Sequence, residues 1–210
     1  MSNYIKNLNW RYATKKFDKD KPISNEDLET LLEATALSAS SYGLQPYKIL
    51  VIDDKEIRAK LQPAAWGQSQ ITEASHLIIL ANQTTFGEEL VDDYLKNVSE
   101  TREIPLEGLK GYSEMMKSNL VPLSDEAKAS WSARQAYIAL GNLLSAAADL
   151  KIDACPMEGF DSSQFNTILD LDKQNLNTAV IVTVGYRSED DQTQYFKKVR
   201  KSKENLIAHL

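Results

Sequence analysis

The residues best suited to holding an anion lie at the two ends of the chain. WRYATKKFD, residues 10–18, carries Arg11, Lys15 and Lys16, and YFKKVRKSK, residues 195–203, carries Lys197, Lys198, Arg200 and Lys201. Arginine presents a planar fork of donors to a phosphate or carboxylate, and lysine adds a compact charge on a flexible stem. A fold that joined the two runs would make a phosphate site. Singly, each run is more often a solvated face.

The other reactive side chains are few. His76 opens an apolar run and His209 is next to the last residue, so the two read as core or surface residues and not as a metal pair. Cys155, the single cysteine, stands in ACP between apolar residues. It forms no disulfide framework or cysteine zinc site and reads as a buried, inert thiol in a reducing cytosol. No G-x-S-x-G, no G-x-G-x-x-G after a strand, no P-loop and no H-E-x-x-H occurs.

Composition narrows the setting. A length of 210 residues suits one domain, residues 1–210, and 42% apolar with 26% charged residues is ordinary for a globular chain. A formal net charge of -6 disfavours a nucleic-acid partner, which calls for excess Lys and Arg. The N-terminal segment interleaves polar residues and lacks the apolar core of a signal peptide, so a cytoplasmic protein is expected. Gln135 to Ala148, as long as any uncharged stretch in the chain, contains Asn142 and Ser145 and falls short of the roughly 20 apolar residues that span a bilayer, so no membrane partner is expected.

The elements that must position these residues follow from periodicity. Leu28, Leu31, Leu32, Ala36 and Leu37 have helical spacing, with Ser24 and Asp27 as a capping pair, giving a helix from Ser24 to Leu37. SASSYGLQP, residues 38–46, is loop. Strands are expected at 47–53, 76–82, 152–157 and 178–186, with a short helix in DDKEIRAKLQPAA ending near Pro63. Residues 86–123 read as helical pieces cut by Pro105, Gly108 and Gly111. A long helix starts near Ser124, with Asp125 and Glu126 at its positive end, and its apolar residues on more than one face imply burial, against another subunit in part. A last helix covers about 162–169. Strands alternating with helices predict a mixed sheet flanked by helices.

In chain order, WRYATKKFD, SASSYGLQPYK, TEASHLIIL, ARQAYIALGNLL, PMEGFD and the terminal K-V-R resemble the nitroreductase family, specifically its oxygen-insensitive, NfsB-like branch, over nearly the whole chain. The resemblance implies an α+β fold with a mixed central sheet, an intertwined homodimer, and FMN in a cleft between the subunits. It assigns the FMN phosphate to Arg11, Lys198 and Arg200, with Tyr12 and Ala13 in the same motif. It places Lys15 near N1 and O2 of the flavin, where a fixed cation favours hydride acceptance, and the backbone of Glu158 and Gly159 near N5 and O4, with Met157 before them among the cofactor-binding residues. Ala39, Ser40, Ser41 and Gly43 match a loop contributed by the partner subunit, and Gln135 matches a glutamine beside the flavin.

Two departures stand out. Ala13 replaces a serine common in the family, and GQSQ at 67–70 lacks the Asn and Lys found near the pyrimidine edge, leaving Gln70 to hydrogen-bond there. The expected activity is ping-pong hydride transfer from NADH or NADPH, through FMN, to a nitroaromatic, quinone or similar small oxidised acceptor. Tyr42, Trp66 and Tyr112 are expected to line the acceptor space. The alternatives are a flavin reductase or reductive dehalogenase on the same fold, a non-catalytic flavin-binding protein, or a binder of another phosphate-bearing ligand.

Overall fold

The computed structural model describes all of residues 1–210. Along the chain come α1 (Asn3–Trp10), α2 (Asn25–Ala36), β1 (Tyr47–Ile52), α3 (Lys55–Ala64), α4 (Gln70–Glu73), β2 (His76–Gln83), α5 (Glu89–Arg102), α6 (Lys110–Leu120), α7 (Asp125–Asp149), β3 (Asp153–Met157), α8 (Ser162–Ile168), β4 (Leu176–Gly185) and α9 (Lys203–Leu206). The strands form one sheet in the order β1-β2-β4-β3. Helices on both faces make the α+β architecture.

All three strand pairings are antiparallel. The mixture of strand directions expected from the sequence is reduced to one isolated parallel bridge between Ala13 and Ala154. β2 shows why its sequence is an unbroken apolar run: successive side chains point to opposite faces, and both faces are covered. Leu77, Ile79 and Ala81 pack with Leu61, Ile71 and Phe165 from the α3, α4 and α8 side. Ile78 and Leu80 pack with Leu31, Ala136, Ala139 and Leu143 from α2 and α7. A third cluster, with Leu44, Phe86, Val91, Leu95, Met116 and Leu120, joins α5 and α6 to the chain before β1.

The caps agree with the sequence at two helices. Ser24 Oγ accepts from the Asp27 amide at 3.1 Å, and Ser124 Oγ accepts from the Ala127 amide at 3.3 Å. α7 buries Ser132, Gln135, Ala136, Ala139 and Leu143, while Tyr137 and Ile138 are 39% and 48% exposed, so within one chain it is covered on one side only. No helix is long and apolar enough to cross a membrane.

Both ends of the chain come to the β3–β4 side of the sheet. The Ala13–Ala154 bridge lays residues 10–18 along β3, and a Phe17–Arg187 bridge ties them to the segment after β4. The amide of Asp18 donates to Tyr186 O at 2.8 Å, and that of Ser188 to Lys16 O at 3.0 Å. The distant cation runs are thereby made neighbours.

Candidate functional site

Two buried carboxylates hold the N-terminal run. Asp153, on β3, accepts from Arg187 Nε at 2.8 Å and the Arg187 amide at 2.9 Å, and Arg187 Nη2 lies 2.6 Å from its Oδ1. The same guanidinium faces the rings of Trp10 and Tyr12, at 4.4 and 4.6 Å from their centroids. Asp191 Oδ2 accepts from the Lys15 amide at 2.7 Å, the Tyr12 hydroxyl at 3.0 Å and the Lys16 amide at 3.2 Å. Burial opposes charge on Asp191, yet these donors and the Thr193 amide keep its carboxyl below the usual range. Burial, then the hydrogen bond to Asp191, pushes the Tyr12 phenol up.

Beside this frame a cleft of about 440 Å³ opens, walled by Asn9, Arg11, Tyr12, Ala13, Lys198 and Arg200 among others. The predicted phosphate residues thus come together. Burial, then the proximity of Arg200, lowers the Arg11 pKa, and burial, then Arg11 and Arg200, lowers that of Lys198. None of the chain's ion pairs involves these three residues. Arg11 Nε is buried without a hydrogen-bond partner. Lys198 Nζ donates to Leu8 O at 2.8 Å and to Arg11 O, satisfying carbonyls at the C-terminal end of α1 and fixing the tail there. An oxyanion in this cleft would meet an orphaned donor and three uncompensated charges, so the residues fit the phosphate of FMN.

Deeper along β3, the Cys155 thiol is buried and its pKa is raised by burial, against opposing influences from Lys15, Gln70 and Arg11. Those three residues therefore gather around one strand position. Gln70 is buried. Met157 turns its side chain into the core and pairs with Ile181 of β4, and it lines neither the cation cleft nor the groove beside Glu158. Glu158 accepts from the Tyr137 hydroxyl and faces a separate groove of about 420 Å³ with Asn82, Asn177 and Phe160. Burial, then this bond, pushes the Tyr137 phenol up to about 12. Gly159 lies under Trp66: a Cβ there would meet Trp66 Cζ3 at 3.0 Å, and its carbonyl accepts from Gln68 Nε2 at 2.7 Å.

The loop of Ala39, Ser40, Ser41 and Gly43 lies elsewhere; neither it nor Gln135 lines the cation cleft. Gln135 Oε1 accepts from the Ser41 amide at 2.8 Å, while its Nε2 donates to Trp131 O at 3.0 Å, so its amide group clamps the loop to α7. Gly43 has φ +80°, and a Cβ there would meet the Tyr94 hydroxyl at 2.8 Å. Tyr42 and Tyr112 gather with Tyr94 near this loop, whereas Trp66 stands apart against Gly159.

Asp153, Arg187 and Asp191 frame the cation cleft, Gln68 holds Gly159 and Tyr137 holds Glu158, and none of the five was singled out from the sequence. The only signal for Asp191 was its place in the acidic run before the basic tail, where nothing separates it from Glu189 and Asp190.

Comparison with known proteins matches residues 8–186 to the Nitroreductase family model. The provisionally named NAD(P)H nitroreductase YfkO of Bacillus subtilis is 36% identical over 95% of this chain and 93% of its own. A similarly named Staphylococcus saprophyticus protein, SSP0379, is 36% identical over 97% and 94%. Among solved structures, a provisionally assigned nitroreductase from Exiguobacterium sibiricum in complex with FMN superposes with a TM-score of 0.85 over 100% of this chain and 98% of that one, at 19% identity, a likeness of fold.

Proposed function

Because the chain belongs to the nitroreductase family, a family of oxidoreductases, we propose that it is an FMN-dependent homodimer that takes electrons from NADH or NADPH in a ping-pong cycle. The acceptor is a nitroaromatic, a quinone or a similar small oxidised molecule. One observation carries this reading: Arg11, Lys198 and Arg200 meet in a cleft without a counter-charge, with Arg11 Nε buried and unpartnered. An FMN phosphate supplies both the charge and the acceptors.

FMN, when bound, accepts hydride from the nicotinamide and passes the electrons on, so the chain needs no acid or base side chain for that transfer. Arg11 would give the phosphate a forked pair of donors, and Lys198 and Arg200 would add charge from the tail. Lys15, with its backbone fixed by Asp191, would supply a positive charge to the flavin, whose electron density rises on reduction. Gly159 lets the backbone approach the ring because it lacks a side chain. The dimer is supported by apolar residues left open in one chain, among them Leu37, Ile138 and Val199, 77%, 48% and 81% exposed. A second copy covering them brings its own residues 39–43 toward the cation cleft, which one chain leaves apart from that loop.

An absorbance spectrum of the purified protein, followed by anaerobic titration with NADH and then NADPH, tests cofactor and donor together. Flavin absorbance that bleaches within seconds and returns with menadione or a nitrofuran is the expected result. A colourless protein that gains no flavin band with added FMN refutes the reading, and bleaching without acceptor reduction points to a non-catalytic flavin protein. Preference for free FMN as acceptor would indicate a flavin reductase.

A further inference from the structure

We infer that Asp191 is a positioning residue that locks the two halves of the cation cleft together, and so sets both FMN affinity and the flavin's readiness to accept electrons. The inference rests on the FMN reading above. Asp191 is 1% exposed and joined to no cation. Oδ2 gathers Tyr12, Lys15 and Lys16 from the N-terminal run, and Oδ1 accepts from the Thr193 amide at 2.9 Å, capping the turn that leads to Lys198 and Arg200. One side chain therefore grips both segments that supply cations.

The choice of residue is chemically specific. An ionised carboxylate accepts at both oxygens, whereas asparagine accepts at one and donates at the other. In Asp191→Asn the amide NH2 must face either the three donors of residues 12–16 or the Thr193 amide, and one side of the grip opens. Burying an unpaired carboxylate is costly, and its negative charge opposes a nearby phosphate. The charge is thus unfavourable to the ligand, and the hydrogen-bond geometry is what the site gains from it.

That opposition gives a test with two signs. If only the charge mattered, Asp191→Asn would tighten FMN and raise its midpoint potential. Positioning predicts the reverse: the variant binds FMN about tenfold more weakly or worse, by fluorescence titration, in line with loss of hydrogen bonds to a charged group. Its midpoint potential falls because Lys15 is no longer held. Asp190→Asn, the same charge change at the exposed neighbouring position, leaves both quantities as in the wild type. Equal or tighter binding by Asp191→Asn, or a raised potential, overturns the inference. Should that variant fail to fold, Tyr12→Phe removes one donor while keeping the ring against Arg187; a severalfold weaker affinity with a lowered potential supports the role, and unchanged values overturn it. A wild type that binds no FMN refutes the proposed function and this role with it. Normal wild-type binding with an unaltered Asp191→Asn refutes the role alone.

Discussion

Replacing Arg11 by methionine should make the FMN-free protein more stable and the FMN complex weaker. The cause is the unbalanced state of this side chain. Its Nε is buried without a partner, and burial with the nearby Arg200 disfavours its charge. A buried unsatisfied donor costs about 1–3 kcal/mol, so Arg11→Met, which keeps an unbranched stem and removes donor and charge, should gain roughly 1 kcal/mol without ligand. On the FMN side the variant loses a forked pair of charge-assisted bonds. At about 1.5 kcal/mol each, the low end for bonds to charged groups and apt for an open cleft, the loss is about 3 kcal/mol, or roughly a hundredfold in Kd. Urea denaturation of the FMN-free protein measures the first quantity and fluorescence quenching of added FMN the second. Arg11→Lys, which keeps charge without the fork, should fall between the two in affinity. An FMN-free variant less stable than the wild type by about 1 kcal/mol, or an unchanged Kd, would show that Arg11 is already satisfied within the chain and refute the reasoning.

Arg187→Ala leaves the buried Asp153 carboxylate without its guanidinium and should cost about 3–5 kcal/mol in urea denaturation, the usual penalty for breaking a buried pair from one side; a loss below about 1 kcal/mol would place this pair in the solvent-screened class. Gln135→Leu removes the acceptor of the Ser41 amide, and should cost about 1–3 kcal/mol and speed hydrogen exchange at Ser41, whereas unaltered exchange would mean that the loop is held by other bonds. Tyr137 has its pKa raised from 10.0 to about 12, so its hydrogen-bonded form stabilises the fold below pH 10, and that contribution is lost as pH rises toward 12. A phenolate titration at 295 nm should therefore show one late-titrating tyrosine fewer in Tyr137→Phe. Gln70→Lys should raise the flavin midpoint potential by adding a second cation near Lys15, and spectroelectrochemistry showing no rise would remove Gln70 from the flavin's surroundings.

The legible parts of this fold are those encoded by short-range physics. Ser24 and Asp27 announced α2, Ser124 announced α7, and the apolar runs of β2 and β4 announced buried strands. Strand direction was not legible, because a strand covered on both faces loses the alternation that marks one solvent-facing side. α1 escaped notice because it is only 8 residues long, too short for its few apolar residues, Tyr4, Ile5, Leu8 and Trp10, to establish a period. In the site, Arg11, Lys198 and Arg200 were found by residue type and family pattern, but only the fold puts Lys198 Nζ on Leu8 O across a sequence separation of 190 residues. Asp191 was illegible because its neighbours Glu189 and Asp190 look the same in sequence and differ only in burial. Gln135 was expected beside the flavin from family pattern alone, and the bonds of its amide group to Ser41 and Trp131 are a partnership no spacing rule reveals.

How an acidic chain keeps a bare positive site follows from where its carboxylates are satisfied. With 30 acidic and 24 basic residues, random pairing would neutralise three exposed or half-buried cations readily. The two buried carboxylates beside the cleft are instead engaged from other directions, Asp153 by Arg187 and Asp191 by backbone amides and a phenol. Neither is paired with Arg11, so the cation cluster persists in the folded chain at a cost visible in the lowered pKa values of Arg11 and Lys198. A ligand that cancels this strain gains affinity without any rearrangement of the protein, since the cost of assembling like charges has been met in folding. The anion must be small and singular, because the surrounding net charge of -6 repels an extended polyanion while the local field still draws a single phosphate.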